Sequence, residues 1–386
     1  MKSGLEPKNA LQPLPLPPLT AQPLVSVLMP NYNYGEFIGE AIESVLRQTY
    51  SNFELIVCDD GSTDNSRAVV ERYQARDARI KLLRQDNGGQ GAAIYSAYAA
   101  SKGEIIFLLD ADDIYLPEKL AVVVAAHLAS PNAGLVIHKM QVIDGNRRKL
   151  RQIPSVSALP SGWYGPSQSL AAPIMLTGYP PSSGISMHRA VAREILPLLA
   201  ARRVYSDTVI QAVAPLVTPI LALDRVLSEY RVHGTNANAA SDLTADRIRR
   251  IAATEIEVWA AWRAYLISIC ERLPPDFVIP PEKPSLMMRY ALARIENDPA
   301  FRDFYRQALE SSWYQAMPRQ YRLYWKFSIA LPRWAFRTSL NAVFGQGNLK
   351  TILAGIKHKI LAIGGFLLSI VQKPFRKISV DLKQNP

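Results

Sequence analysis

Short apolar runs punctuate the first third of the chain: Leu24–Met29, Phe53–Cys58, Ile80–Leu83 and Ile105–Leu109. Runs of this length without alternation read as strands buried on both faces. Between them, Phe37, Ile38, Ala41, Ile42, Val45 and Leu46 recur at helical spacing. Gly61-Ser62-Thr63-Asp64 has the residues of a turn and helix N-cap, and Ala92–Ser101 is an Ala-rich helical stretch. The order predicts βαβαβαβ, an α/β fold with an open, mostly parallel sheet flanked by helices.

The later pattern is less regular. Gly134–Ile143 reads as a strand, with Lys149–Ile153 as its hairpin partner across Asp144-Gly145-Asn146. Ser155–Pro181 is rich in Pro, Gly and Ser and carries Trp163, Tyr164 and Tyr179. Loops of such length are usually functional, and these aromatics suit stacking on an acceptor sugar or lipid. Asp242 to Leu309 is helical in pattern and mixed in charge. The predicted organisation is a flexible Pro-rich leader (1–23, six prolines), a catalytic domain (24–235), a helical extension (236–310) and a basic amphipathic tail (311–386).

Charge singles out the tail. Residues 1–310 hold 32 basic and 32 acidic side chains, whereas 311–386 hold 12 basic residues and one acid, Asp381, so the net charge of +11 resides there. Arg319, Arg322, Lys326, Arg333 and Arg337 interleave with Tyr321, Tyr324, Trp325, Phe327, Trp334 and Phe336. An apolar stripe from Leu349 to Ile370 follows, flanked by lysines. Such a segment fits an anionic membrane interface; the alternative is a helix packed on the protein with a solvated basic face. No nucleic-acid recognition motif accompanies the charge, so no nucleic acid is expected as partner. Two cysteines, Cys58 and Cys270, offer neither a disulfide framework nor metal-ligand spacing, and neither a secretory signal nor an 18-residue apolar run is visible. The expected place is the cytoplasm, peripheral on the inner face of the cell membrane if the tail acts as an anchor.

Candidate chemistry gathers where the strand-like runs end. Pro30-Asn31-Tyr32 follows the first, Asp59 and Asp60 the second, and Asp110, Asp112 and Asp113 the fourth. In open α/β sheets ligands collect at the carboxyl ends of strands. Three crowded carboxylates there need a cation or donors to offset them, and hard oxygen ligands suit Mg²⁺ or Mn²⁺. The alternative is an Asp-rich turn capping a helix that begins near Pro117. Asn87-Gly88-Gly89-Gln90-Gly91 matches neither GxGxxG nor GxxxxGK[ST].

Together, SVLMPNYNYGEFIGEAIESVLRQTYSNFELIVCDDGSTDNS, NGGQGAA and GEIIFLLDADDIYLPEKL resemble the family 2 inverting glycosyltransferases of GT-A fold, over about residues 24–235. The resemblance implies that Pro30 and Tyr32 contact the base and ribose of a nucleotide-diphospho-sugar donor and that Asp60 accepts from the base imide, with Asp59 bracing the loop. It implies a DxD at Asp110-Ala111-Asp112, Asp112 contacting the metal and Asp110 the ribose or a metal-bound water. Asp113 has a second reading as a helix cap. Asp207 matches the position of the catalytic base, against an N-cap reading for a helix from Thr208 to Ala214. His233 matches a histidine near the metal or diphosphate, and His188 is either structural or a ligand. Two departures stand out: Ile94-Tyr95 replaces the Arg-Asn pair frequent in relatives, and the QxxRW-type motif of processive synthases is absent.

The sequence therefore predicts a metal-assisted transferase moving a sugar, in the first instance from a UDP donor, to a saccharide or lipid-linked acceptor with inversion, in surface-polysaccharide or glycolipid assembly. The alternative is a catalytically silent protein that keeps the fold as a scaffold at the membrane.

Overall fold

The computed structural model describes residues 11–154, 159–164, 178–201, 206–233, 245–273, 277–279, 286–310, 314 and 319–344. The chain divides into two compact units, one comprising residues 1–236 and 250–285, the other 237–249 and 286–386.

The first unit is built on four parallel strands in the order β3-β2-β1-β4: β1 (Val25–Asn31), β2 (Phe53–Asp59), β3 (Ile80–Arg84) and β4 (Ile105–Leu108). Helices α1 (Ile38–Leu46), α2 (Ser66–Gln74) and α3 (Gln90–Ala99) make the crossovers. The expected βαβαβαβ is thus present, and the apolar runs are continuous because alternate residues feed two cores. Val25, Val27, Met29, Phe53, Leu55, Val57 and Phe107 pack with α1 and α2 on one face. Leu28, Ile56, Cys58, Ile106 and Leu108 pack with Ala93, Ile94 and Ala97 of α3 on the other. Gly103, just before β4, lies against β1: a Cβ there would meet the Ser26 amide nitrogen at 2.4 Å, closer than atoms can approach.

Beyond β4 the sheet becomes mixed. β5 (Ile114–Tyr115), α4 (Lys119–Ala129), β6 (Leu135–Asp144), β7 (Lys149–Ile153), β8 (Ile185–His188), α5 (Arg189–Ile195), α6 (Ser206–Val217) and β9 (Ile220–Val232) follow. β4 pairs antiparallel with β8, β8 with β6, and β5 with β9, while β6 and β9 run parallel. β7 pairs with β6 as the expected hairpin. Parallel pairing is therefore confined, apart from β6–β9, to the first four strands.

The leader departs from expectation. From Leu11, which is buried, residues 11–23 form a strap along the first unit. The Leu14 amide donates to the Val217 carbonyl at 2.8 Å, Thr20 donates its amide and hydroxyl to Glu104 at 2.8 and 2.6 Å, and the Tyr50 hydroxyl donates to the Pro23 carbonyl at 2.6 Å. Proline lacks an amide donor and prefers an extended backbone, so the strap bonds outward through its non-proline amides and its carbonyls instead of through a helix or a ladder of its own. Residues 1–10 lie outside the described residues.

The long α7 (Ala245–Ser268) begins in the second unit and has most of its length in the first, where Val258, Ala261, Trp262 and Tyr265 join the core. The second unit contains α8 (Leu286–Glu296), α9 (Phe301–Glu310), α10 (Arg319–Ser328) and α11 (Arg333–Phe344). The expected stripe at 349–370 lies outside the described residues.

Candidate active site

Because β2, β1 and β4 are neighbours, the three candidate loops lie side by side at the carboxyl edge of the sheet. The Asn31 side chain donates to Asp59 Oδ1 at 2.9 Å and to Ser62 Oγ at 3.1 Å, and the Asp60 amide donates to the Asn31 carbonyl at 2.8 Å. Asp59 thus braces the loop, as the sequence implied. Asp60 is buried and faces the glycine-rich turn. Its Oδ1 accepts from Gln85 Nε2 and the Gly88 amide at 2.7 and 2.8 Å, and its Oδ2 accepts from the Gly89 amide at 2.8 Å. Gly89 has φ +94°, a conformation open to glycine, and this aims its amide at the carboxylate. Pro30 is buried one residue before the end of β1, and Tyr32 stands 46% exposed just beyond the strand.

The acidic loop after β4 is drawn into place by β5. That two-residue strand pairs with β9, Ile114 opposite Glu229, which brings Asp112 and Asp113 beneath the end of β9. The Arg231 amide donates to Asp113 Oδ1 and its Nε to the Asp112 carbonyl, both at 2.9 Å, while its Nη2 donates to Glu40 at 2.7 Å. His233, two residues on, sets Nε2 3.0 Å from Asp112 Oδ2. Phe37 stacks on the His233 ring at 4.4 Å between centroids, and Tyr34 meets it edge-on at 5.9 Å. Asp113 is not a helix cap: α4 begins at Lys119 with Glu118 at its N-cap. Instead Asp113 is buried and turned toward the Arg231 amide.

Asp110 accepts from Gln90 Nε2 at 2.9 Å, and its amide donates to Ser183 Oγ at 2.9 Å. Burial, with Asp112 and then Asp207 nearby, pushes its carboxyl up to about 8. Burial, then Asp112 and Asp110, also holds Asp113 well above the usual carboxylate range. Burial, and after it the same acidic cluster, raises the Tyr34 and Tyr230 hydroxyls.

Asp207 sits in the first turn of α6, one residue after its start, rather than at the N-cap. Its Oδ1 accepts from the amide and hydroxyl of Thr208 at 2.8 and 3.3 Å, and burial raises its carboxyl despite those bonds. The adjacent Ser206 hydroxyl lies 3.4 Å from Gln90 Oε1, so Gln90 links the start of α6 to Asp110. His188 proves structural: Nδ1 accepts the Ala190 amide at 3.0 Å, and Nε2 lies 3.1 Å from the Pro17 carbonyl of the strap.

Among the described residues, no three His, Cys, Asp or Glu side chains converge as a ready metal cage. The Asp112–His233 pair nevertheless fits a hard divalent cation. Neighbouring ligands of an octahedral ion with bonds of about 2.1 Å stand about 3 Å apart, the separation that Oδ2 and Nε2 show. A cation that takes one or two protein ligands and completes its shell with water and phosphate needs no fuller cage.

Sequence reasoning missed Gln90, Arg231, Tyr34, Tyr230 and the buried Lys119. Arg231 carries no local signal: its buried side chain reaches the half-exposed Glu40 of α1, and its bonds to Asp112 and Asp113 depend on the β5–β9 pairing.

Carboxylates and an imidazole at the carboxyl edge of an α/β sheet, beside a loop with an exposed aromatic ring, mark the place where open α/β folds bind ligands. Comparisons with known proteins identify the family. The model for "Glycosyl transferase family 2" matches residues 26–191. An uncharacterised glycosyltransferase of Nostoc sp. is 36% identical over 232 residues, 58% of this chain and 69% of that protein. The chain belongs to glycosyl transferase family 2 and is a glycosyltransferase. The Escherichia coli UDP-Glc:alpha-D-GlcNAc-diphosphoundecaprenol beta-1,3-glucosyltransferase WfgD is 40% identical over 124 residues, 32% of this chain and 48% of that enzyme, so the chain spans about half of that relative. The crystal structure of Staphylococcus aureus TarS 1–349 with UDP aligns with TM-score 0.49 and 21% identity, over 82% of this chain and 89% of that one.

Proposed function

We propose that the protein transfers a sugar from a UDP-sugar to an acceptor hydroxyl with inversion at the anomeric carbon. The observation that carries this reading is the Asp112–His233 pair, set beside Asp110, whose carboxyl is raised by burial and then by Asp112 and Asp207. Asp112 and His233 would hold Mg²⁺ or Mn²⁺, with Asp110 next to them. When bound, the ion offsets the charge that develops on the departing diphosphate. Tyr32 and Pro30 offer the base and ribose an aromatic face and an apolar edge. Asp60 Oδ2 accepts one protein hydrogen bond and, as a carboxylate oxygen, keeps capacity for a base imide.

Asp207 acts as general base. Thr208 fixes one oxygen, which leaves the other to take the acceptor proton. Its elevated proton affinity favours that transfer. The WfgD name couples a UDP-sugar to an undecaprenol-diphosphate-linked acceptor. This supports a saccharide or lipid-linked acceptor here, in polysaccharide or glycolipid assembly. Among the described residues no helix is long and apolar enough to cross a membrane.

The test separates binding from chemistry. Asp207→Asn should keep stabilisation by UDP with Mn²⁺ and lose transfer by about 10²–10⁴-fold. Wild-type transfer in that variant would remove Asp207 from the role. UDP binding by the wild-type chain without transfer to any saccharide acceptor would favour the silent scaffold.

A further inference from the structure

The second unit carries a surface to which the proposed transfer assigns no residue. Helices α10 and α11 form a hairpin whose inner side is firmly held. Trp325, Ser328, Phe336 and Leu340 are buried. Tyr290 of α8 meets the Trp325 and Phe336 rings at 6.0 and 5.6 Å, and its hydroxyl lies 3.0 Å from Ser328 Oγ. The Tyr305 hydroxyl of α9 donates to the Lys326 carbonyl at 2.6 Å, and Arg294 donates to the Leu331 carbonyl in the connecting turn. The orientation of the outer side is therefore fixed by packing rather than left to two free helices.

That outer side is unusual for a surface in water. Leu323, Phe327 and Trp334 stand 45%, 63% and 70% exposed. Leu323 and Phe327 are one helical turn apart on α10, and Trp334 opens α11. Lys326, Arg333 and Arg337 are exposed beside them. Residues 319–344 contain five Arg or Lys and no Asp or Glu. Isolated exposed apolar residues are ordinary, but large apolar anchors ringed by one sign of charge on a rigid hairpin are the composition of an interfacial contact.

We propose that the α10–α11 hairpin docks on an anionic lipid bilayer. Phe327, Leu323 and Trp334 enter the headgroup boundary, where an aromatic ring with one polar edge is at home. Lys326, Arg333 and Arg337 lie against lipid phosphates, their aliphatic stems covering apolar surface. A polyanion such as nucleic acid would satisfy the cations but leave the Leu323–Phe327 strip in water. A bilayer satisfies both. The surface is separate from the residues assigned to sugar transfer, so its test is independent of that assignment.

The experiment is sedimentation of the full chain with vesicles of phosphatidylcholine alone and with added phosphatidylglycerol, at low and high salt. Binding should require phosphatidylglycerol and weaken with salt. Arg333→Gln with Arg337→Gln should lower partitioning by roughly fivefold per charge, and Phe327→Ala with Trp334→Ala should lower it by roughly tenfold or more. All four side chains are exposed, so folding and UDP-induced stabilisation should be unchanged. Equal vesicle binding by wild type and both double variants overturns the proposal, as does absence of wild-type binding. Tighter binding to a short DNA duplex than to vesicles overturns it in favour of a polyanion site. A change in oligomeric state on Phe327→Ala/Trp334→Ala without vesicles overturns it in favour of a second copy on this face.

Discussion

Nε2 of His233 lies 3.0 Å from Oδ2 of Asp112, although 121 positions separate them. The contact exists because β5 is zipped to β9, and in the proposed function it would give the acidic loop a second metal ligand. His233→Ala should raise the Mn²⁺ concentration for half-maximal transfer by about 10–100-fold, the scale on which groups that tune metal sites act. Mn²⁺ titration at saturating donor measures this. An unchanged midpoint would leave His233 as packing for Phe37.

Asp110 should make the ligand-free protein pH-sensitive. Its carboxyl is raised to about 8, against about 3.9 when unfolded. Between those values the folded state holds a proton that the unfolded state has released, so stability falls as pH rises and levels off above the folded value. Relative to Asp110→Asn, the wild type should lose melting temperature from about pH 5 to about pH 8 and then run parallel. The check is a pair of thermal melts across that range in chelator; a constant offset would refute the shift.

Lys119 is fully buried, with Nζ 2.6 Å from the Ser183 carbonyl, 3.1 Å from Ser228 Oγ and 3.3 Å from the centre of the Tyr115 ring. Burial depresses its ammonium well below the usual lysine range, with Asp113 opposing. Ser183 in turn accepts the Asp110 amide, so the lysine supports the acidic loop from behind. Lys119→Met should cost about 1–3 kcal/mol through the partners left unsatisfied. Its effect on transfer should be non-additive with Ser183→Ala. Denaturant melts and a double-mutant cycle on kcat measure both; additive losses would show that Lys119 supports the core without acting through Ser183.

The legible part of this protein was local. Four apolar runs, each ended by turn or acidic residues, specified β1 to β4, and their crossovers placed Asn31, Asp60 and Asp110 on one edge. Periodicity reports burial along a segment, and parallel strands buried on both faces leave an unmistakable record of it. The leader was misread because proline content speaks for disorder in isolation, whereas Leu11 and the carbonyls of Gln12, Pro17 and Pro23 find partners supplied by distant residues.

By itself, the sequence determined the α/β order, the acidic strand ends and a basic C-terminal segment. Tertiary structure alone decided which partners each carboxylate meets. Asp59 and Asp60 are adjacent in sequence, yet one braces β1 and the other the glycine-rich turn. Asp113 is turned inward toward Arg231 while Asp112 meets His233. Side-chain identity states what a group can do, but the β5–β9 register determines which partners it meets, and short-range electrostatics and hydrogen bonding act only at that distance.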